Sequence, residues 1–256
     1  MKTILKLVLT LISFSFYAQN NNYRVKYLLD FQKDSLDISD NKREIMYLDI
    51  SDNRTIFQSE SMFKKDSISS NSNSMGILGL TKSQFRYKIV KDTDQKSKYF
   101  IDYAATYRFY TETEEKIEWT FVNDSIKKID KFECKLATTF FKGRYYFAWY
   151  TVDIPISSGP YKFNGLPGLI LELFDSKKHY VFKLYTINKM KSLTNYLDAS
   201  KFTKVSKSDL IQMEIDIKNK PSIIFNGSNL NLPMDKYDTN HRERNKKFNN
   251  PIELKD

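Results

Sequence analysis

Apolar side chains recur at every second position over several stretches of the chain. The longest of these stretches has its apolar members at Tyr23, Val25, Tyr27, Leu29 and Phe31. Similar alternation occurs at residues 85–89, 117–121 and 132–138. A period of two is typical of β-strands that turn one face to a core and the other to water, as in antiparallel sheets. The pattern therefore predicts a mainly β protein with an antiparallel sheet.

Shorter apolar segments predict further strands at residues 44–50, 55–59, 99–103 and 107–111. Polar breaks at residues 112–115 and 122–124 fit hairpin connections. Residues 61–80 are rich in Ser, Asn and Gly, and they predict a loop with one helical turn over residues 60–65. Residues 206–218 predict a helix, because a serine stands at the cap position and the aliphatic residues that follow share one face.

Residues 145–150, Tyr-Tyr-Phe-Ala-Trp-Tyr, are apolar or aromatic on both faces of the strand that they predict. A strand with two apolar faces needs cover on its second face from a helix, a loop or a ligand. Core packing explains the pattern most simply. A ligand groove is the alternative, because tyrosine and tryptophan suit half-wet surfaces. On that alternative, the candidate ligand-binding residues are Tyr146, Trp149, Tyr150 and Phe163.

Backbone constraints concentrate at residues 155–168, which hold three of the chain's seven glycines and three of its six prolines. One turn is predicted at residues 159–160. A second is predicted at residues 166–169, with proline in second place and Gly168 in third, where φ is positive. The segment either connects two buried strands or cradles a ligand. We call it the signature loop, and its defining residues are Gly159, Pro160, Gly165, Leu166, Pro167 and Gly168.

Residues 1–18 predict a secretory signal peptide, with a basic start, an apolar core over residues 7–16 and Ala18 at the cut. The mature chain is then expected to begin between Gln19 and Asn22. No other stretch approaches the roughly 20 apolar residues that a spanning helix needs. We therefore expect export through the secretory pathway to the periplasm, the cell envelope or the medium, with no transmembrane span in the mature chain.

The formal net charge is +10, which favours anionic partners such as lipid headgroups, polysaccharide or nucleic acid. Because much of the excess lies in dispersed lysines and in residues 242–247, a solvated surface is the simpler explanation, and nucleic acid is not an expected partner. Residues 19–225 predict one β domain. Residues 226–256 are basic with little apolar period, and they predict a largely disordered tail with a short docked piece around residues 251–254.

Catalytic constellations find little support in the sequence. His179 could be combined with Ser157 or Ser158 and with Asp153 as a triad, but no Gly-x-Ser-x-Gly elbow is present. No His-Glu-x-x-His or Cys-x-x-Cys spacing occurs, so neither a metal nor another cofactor is expected. The single cysteine, Cys134, falls on the apolar side of its strand, which predicts a buried thiol that behaves as a small hydrophobe.

Residues 164–170, Asn-Gly-Leu-Pro-Gly-Leu-Ile, resemble the signature of the GLPGLI family of secreted Bacteroidetes proteins. The resemblance extends to residues 134–140, 143–151, 154–156, 159–163 and 250–254. It implies secretion. It implies no activity, cofactor or catalytic residue, since that family is defined by sequence alone.

These patterns together predict a single mainly β domain, a strongly curved antiparallel sheet or half-barrel with a few short helices. The expected function is non-catalytic, that of an exported envelope protein that binds or carries an apolar ligand or a protein segment. A lipid, a peptide or an envelope protein is the expected partner. A hydrolase of unknown class is the alternative.

Overall fold

The structure is a computed structural model that describes residues 22–37, 39–70, 83–92, 97–104, 106–112, 115–192, 202–226 and 233–254. Its strands are β1 (Tyr23–Gln32), β2 (Asn41–Ile50), β3 (Arg54–Ser59), β4 (Lys88–Asp92), β5 (Ser97–Ala104), β6 (Thr106–Glu112), β7 (Thr120–Ile129), β8 (Phe132–Phe141), β9 (Arg144–Thr151), β10 (Leu169–Asp175), β11 (Tyr180–Lys189) and β12 (Thr203–Lys204). Its helices are α1 (Glu60–Ser70), α2 (Lys207–Asn219) and α3 (Met234–Lys246), with a short 3-10 helix over Pro221–Phe225. No helix within these ranges is long and apolar enough to cross a membrane.

Within the described residues, these strands form one 12-stranded sheet, in the order β12-β6-β5-β4-β3-β2-β1-β11-β10-β9-β8-β7. Neighbours pair antiparallel, apart from β12, which runs parallel to β6. The sheet does not close, so β12 and β7 remain as its two edges. The prediction of a mainly β protein with an antiparallel sheet is confirmed.

Strand β1 lies near the middle of the sheet and shows why the alternating residues form it. Val25, Tyr27 and Leu29 are fully buried, and they alternate with residues on the opposite face. The hydroxyl of Tyr27 donates to the Ile170 carbonyl oxygen at 2.7 Å, so this buried polar group has a partner. Burying a Val or Leu side chain stabilises the folded state by about 1.5–3 kcal/mol. Strand β1 therefore contributes substantially to the stability of the core.

The signature loop covers that core face. Phe163 and Leu166 are buried in the main hydrophobic cluster together with residues of β1, β2 and β8 to β11. The Phe163 ring lies edge-on to Tyr146 of β9, with centroids 4.6 Å apart, and to Phe141 of β8, at 5.2 Å. The core face of the sheet is therefore covered by the protein's own loop.

Two local elements differ from the sequence-based expectation. Helix α1 continues to Ser70, well beyond the single turn predicted, and a buried ion pair between its Asp66 and Lys88 of β4 fixes it to the sheet. Strand β7 runs through residues 122–124, which were predicted as a hairpin. The register against β8 shifts there, between Val122 and Ile126, so these polar residues form a bulge.

Two parts of the C-terminal tail contact the rest of the protein where the structure describes it. Asp238 of α3 is buried, and its carboxylate accepts the Ser222 backbone N–H at 2.6 Å and the Ser222 hydroxyl at 2.8 Å, which ties α3 to the 3-10 helix. Ile252 is buried in the main core. Because α3 is held through a polar anchor and has no apolar stripe, its sequence gives little periodic signal.

Candidate functional site

The residues predicted to bind a ligand lie on two different faces of the sheet. Tyr146 and Phe163 are 0% and 1% exposed, and Tyr150 is also buried. Trp149 is half-buried, and it lies on the opposite face because side chains alternate along β9. The structure therefore does not bring the four together. Trp149 alone reaches an open groove.

The Tyr146 hydroxyl is engaged by the C-terminal segment. It donates to the Ile252 carbonyl oxygen at 3.1 Å, and the Tyr180 hydroxyl donates to the Asn250 carbonyl oxygen at 2.6 Å. The buried Arg144 guanidinium donates to the Asn250 side-chain oxygen at 2.6 Å and to the Asp175 carboxylate at 3.0 Å. Burial raises the pKa of Tyr146 far above its ordinary value, so the phenol remains a hydrogen-bond donor. A ligand could reach it only by displacing this segment.

Glycines in the signature loop satisfy backbone and packing requirements. Gly165 has φ +95°, a left-handed conformation that side chains rarely adopt. Gly168 was expected to have positive φ, but only Gly143 and Gly165 do so among the described glycines. Gly168 is required for another reason, because a Cβ there would lie 1.9 Å from the Thr151 carbonyl oxygen. A Cβ at Gly159 would lie 2.7 Å from the Ile170 side chain.

The remaining loop positions divide between the core and the surface. Leu166 and Pro160 are buried, while Pro167 is exposed. The Pro160 carbonyl oxygen accepts the Phe163 backbone N–H at 3.2 Å, which closes a turn over residues 160–163. Between the loop and strands β2 to β5, the free space is about 20 Å³, enough for about one water molecule. The structure favours the interpretation of the loop as a structural connector.

A larger groove lies on the outer face, opposite the core. Its volume is about 590 Å³. It is lined by side chains of β1, β2, β7, β9, β10 and β11 and of the turn before β11, namely Asp30, Asn41, Lys42, Arg43, Lys127, Trp149, Glu172, Phe174, Lys178, Val181 and Lys183. We call it the basic groove, because five cationic side chains face two carboxylates there. Trp149, Phe174 and Val181 form its apolar floor.

Both carboxylates of the basic groove are already paired. Arg43 donates to Asp30 at 2.6 Å, and Lys127 forms an ion pair with Glu172. The Lys127 ammonium also lies 5.4 Å from the centroid of the Trp149 ring. No described carboxylate pairs with Lys178 or Lys183, which are exposed. The groove therefore has a local excess of positive charge that an anion could neutralise.

The triad considered from the sequence is not assembled. The Ser157 hydroxyl accepts the Gly165 backbone N–H at 2.9 Å, and His179 Nδ1 lies 3.3 Å from the Arg144 guanidinium. Cys134 is buried as predicted, and burial raises its pKa to about 11, which keeps the thiol protonated. Within the described residues, no cluster of three or more His, Cys, Asp or Glu side chains could hold a metal ion.

Sequence reasoning missed Lys178, Lys183 and Phe174, which complete the basic groove. Phe174 and Lys183 occupy outward positions of β10 and β11, and Lys178 stands in the turn between those strands. The alternation of β10 and β11 could have indicated their shared face. Their convergence on Trp149 depends on the strand order, which the sequence does not reveal.

A family model described as "Protein of unknown function (Porph_ging)" matches residues 88–172. The matched region contains the signature loop and strands β4 to β9. No curated protein matches the chain.

Among solved structures, the chain is similar to PNGF-II. The crystal form in space group C2 gives a TM-score of 0.57 at 14% identity, over 75% of this chain and 32% of that chain. The form in space group P21 gives 0.55 at 14% identity, over 75% and 33%. The likeness concerns the fold, and this chain spans about a third of the length of PNGF-II.

Proposed function

We propose that the chain is an exported, non-catalytic binding protein of the cell envelope, and that its ligand is an anion held in the basic groove. The observation that carries this proposal is the groove itself, with two exposed lysines, Lys178 and Lys183, above an apolar floor. The predicted signal peptide at residues 1–18 and the resemblance to the GLPGLI family support export.

The sequence alone predicts an apolar ligand or a protein segment, whereas the proposal made here is an anionic ligand. A carrier of apolar molecules needs an internal cavity, and ligand pockets have volumes of about 300–1,000 Å³. The space beneath the signature loop is about 20 Å³. The basic groove has the size of a ligand pocket, but it is open, and its charge selects anions.

Electrostatics sets the expected strength of binding. A contact between exposed ions contributes about 0.2–1 kcal/mol, so a single lysine binds weakly. A ligand with several negative charges can engage Lys178, Lys183 and the neighbouring cations at once. Because salt screens exposed charges over a Debye length of about 8 Å at physiological ionic strength, the affinity should fall as salt rises.

The test uses poly-L-glutamate as a simple polyanion and measures binding by calorimetry at low salt. Replacing both lysines, Lys178→Glu with Lys183→Glu, should weaken binding about tenfold or more, since attraction becomes repulsion. The matched control is Lys204→Glu with Lys220→Glu, which changes the net charge equally at exposed positions of β12 and after α2. Equal losses in both double variants would show that net charge, not the groove, binds the polymer, and would overturn the proposal.

A further inference from the structure

Aromatic side chains extend the basic groove along the outer face of the sheet. Phe140 of β8 and Tyr145 of β9 are cross-strand partners, and they are 68% and 43% exposed. Tyr145 lies edge-on to Phe147, with centroids 5.3 Å apart, and Phe147 stacks on Phe174 at 5.2 Å. Phe174 also lines the groove. These four rings, which we call the aromatic strip, are therefore continuous with its floor.

The strip also adjoins a lysine of the groove. The turn that carries Lys178 is bonded to β9, because the Ser176 backbone N–H donates to the Tyr145 carbonyl oxygen at 2.8 Å. No described helix or loop packs over Tyr145, although the aromatic pattern of β9 calls for cover on this face. The outer face thus combines an uncovered apolar surface with cations at its border.

The rings of the strip differ in how much of their surface other side chains already cover. Sugars and nucleobases bind aromatic side chains by stacking on their π faces. Phe147 and Phe174 turn their faces to each other, with an interplanar angle of 11°. Lys127 lies over the ring of Trp149. Phe140 and Tyr145 remain exposed, and they suit contact with aromatic or aliphatic side chains of a partner.

We propose that the occupant of the basic groove is an acidic segment of a partner protein that carries aromatic or large aliphatic side chains. Its carboxylates contact Lys178 and Lys183, and its apolar side chains cover Phe140 and Tyr145. The partner is identified by charge complementarity to the groove and by the uncovered strip beside it. This inference rests on the proposed function, because it names the class of anion that the groove binds.

The experiment compares four probes on the purified protein by fluorescence anisotropy or calorimetry. They are a random copolymer of Glu and Tyr in a 4:1 ratio, poly-L-glutamate, polygalacturonate and oligo-deoxythymidine. We expect the Glu–Tyr copolymer to bind at least tenfold more tightly than poly-L-glutamate, because only the copolymer can cover the aromatic strip.

Two variants test the role of the strip. Phe140→Ser with Tyr145→Ser should remove most of the preference for the copolymer and leave the affinity for poly-L-glutamate unchanged. The control, Ile215→Ser, changes a side chain of α2 that is 44% exposed, and α2 packs at the β6 end of the sheet. It should leave the preference intact.

The outcomes separate the two proposals. If the lysine variants weaken every polyanion but the strip variant keeps the preference, the protein-segment inference fails and the anion site stands. Tighter binding of polygalacturonate or oligo-deoxythymidine than of the copolymer also overturns the inference, in favour of a polysaccharide or a nucleic acid. If the lysine variants change nothing, the proposed function itself fails.

Discussion

Gly168 shows how a residue can be required for a reason that its motif does not reveal. The Pro-Gly pair predicted positive φ, but the constraint is the approach of the Thr151 carbonyl oxygen to the position that a Cβ would occupy. Gly165 does have positive φ, with its side-chain position facing Trp119 at 3.5 Å, an ordinary contact distance. The sequence identifies both glycines as structural, but close packing against a strand is visible only in three dimensions.

Substituting the two glycines by alanine should separate these causes. Gly165→Ala should lower the free energy of unfolding by about 1–3 kcal/mol, because alanine is strained at positive φ. Gly168→Ala should cost more, because its clash is with backbone of β9, which cannot move without disturbing the pairing of β9 with β10. Urea denaturation of both variants measures the difference. A Gly168→Ala protein as stable as the unchanged chain would contradict the packing argument.

Tyr146 marks the limit of residue-level prediction in the site. Aromatic rings on both faces of β9 gave two interpretations, a core strand and a ligand groove, and the structure places Tyr146 on the buried face and Trp149 on the face that carries the basic groove. Tyr146 is core because the Ile252 carbonyl, 106 residues away, accepts its hydroxyl. Trp149 lies at the groove because β7 and β10 bring Lys127 and Glu172 beside it. Neither outcome can be derived from local periodicity.

At the scale of elements, local patterns predicted the strands better than their ends and partners. Residues 23–31 and 132–138 form strands as their alternation indicates. The bulge of β7 replaces a predicted hairpin because polar residues at a sheet edge need not leave the strand. Residues 71–80 of the predicted loop lie outside the described residues.

The C-terminal segment shows which contacts a sequence pattern does not reveal. It docks through polar groups, since Asn250 donates from its backbone N–H to the Lys33 carbonyl oxygen at 3.1 Å and from its side chain to the Gln32 carbonyl oxygen at 2.7 Å. The Leu254 N–H donates to the Lys142 carbonyl oxygen at 2.9 Å. Such contacts leave no apolar period in the sequence. Only Ile252 gives a conventional core signal.

Ending the chain after residue 247 should therefore destabilise the fold. The change removes the buried Ile252 and leaves Arg144 without its Asn250 partner, and an unsatisfied buried polar group costs about 1–3 kcal/mol. We expect a loss above about 2 kcal/mol in the free energy of unfolding. Ile252→Ala should reproduce part of it, whereas Leu254→Ala, at a half-exposed position, should cost much less. An unchanged melting temperature after truncation would show that the docked segment contributes nothing.

At the scale of the whole molecule, the two faces of the sheet have different roles. The core face is closed by the signature loop and the C-terminal segment, both parts of the same chain. The outer face carries the basic groove and the aromatic strip. Composition alone favours a solvated surface as the explanation of the net charge of +10. Part of that charge converges at one site, because β1, β2 and β7 to β11 are neighbours in the sheet order.

The pairing of β1 limits where a signal peptide could be removed without loss of strand bonds. Residues 1–21 lie outside the described residues, but the Asn22 carbonyl oxygen accepts the Met190 N–H at 2.8 Å, next to the pairing of Tyr23 with Lys189. Cleavage beyond Asn22 would remove bonds of the central strand β1, whereas cleavage between Gln19 and Asn22 keeps them. We therefore predict that the protein recovered from the periplasm or medium begins in that interval.

N-terminal sequencing checks this start. The control is a variant that carries Leu9→Arg and Leu11→Arg, which should stay unprocessed because the added charges disrupt the apolar core of the signal peptide. Exported protein that retained Met1 would contradict the prediction.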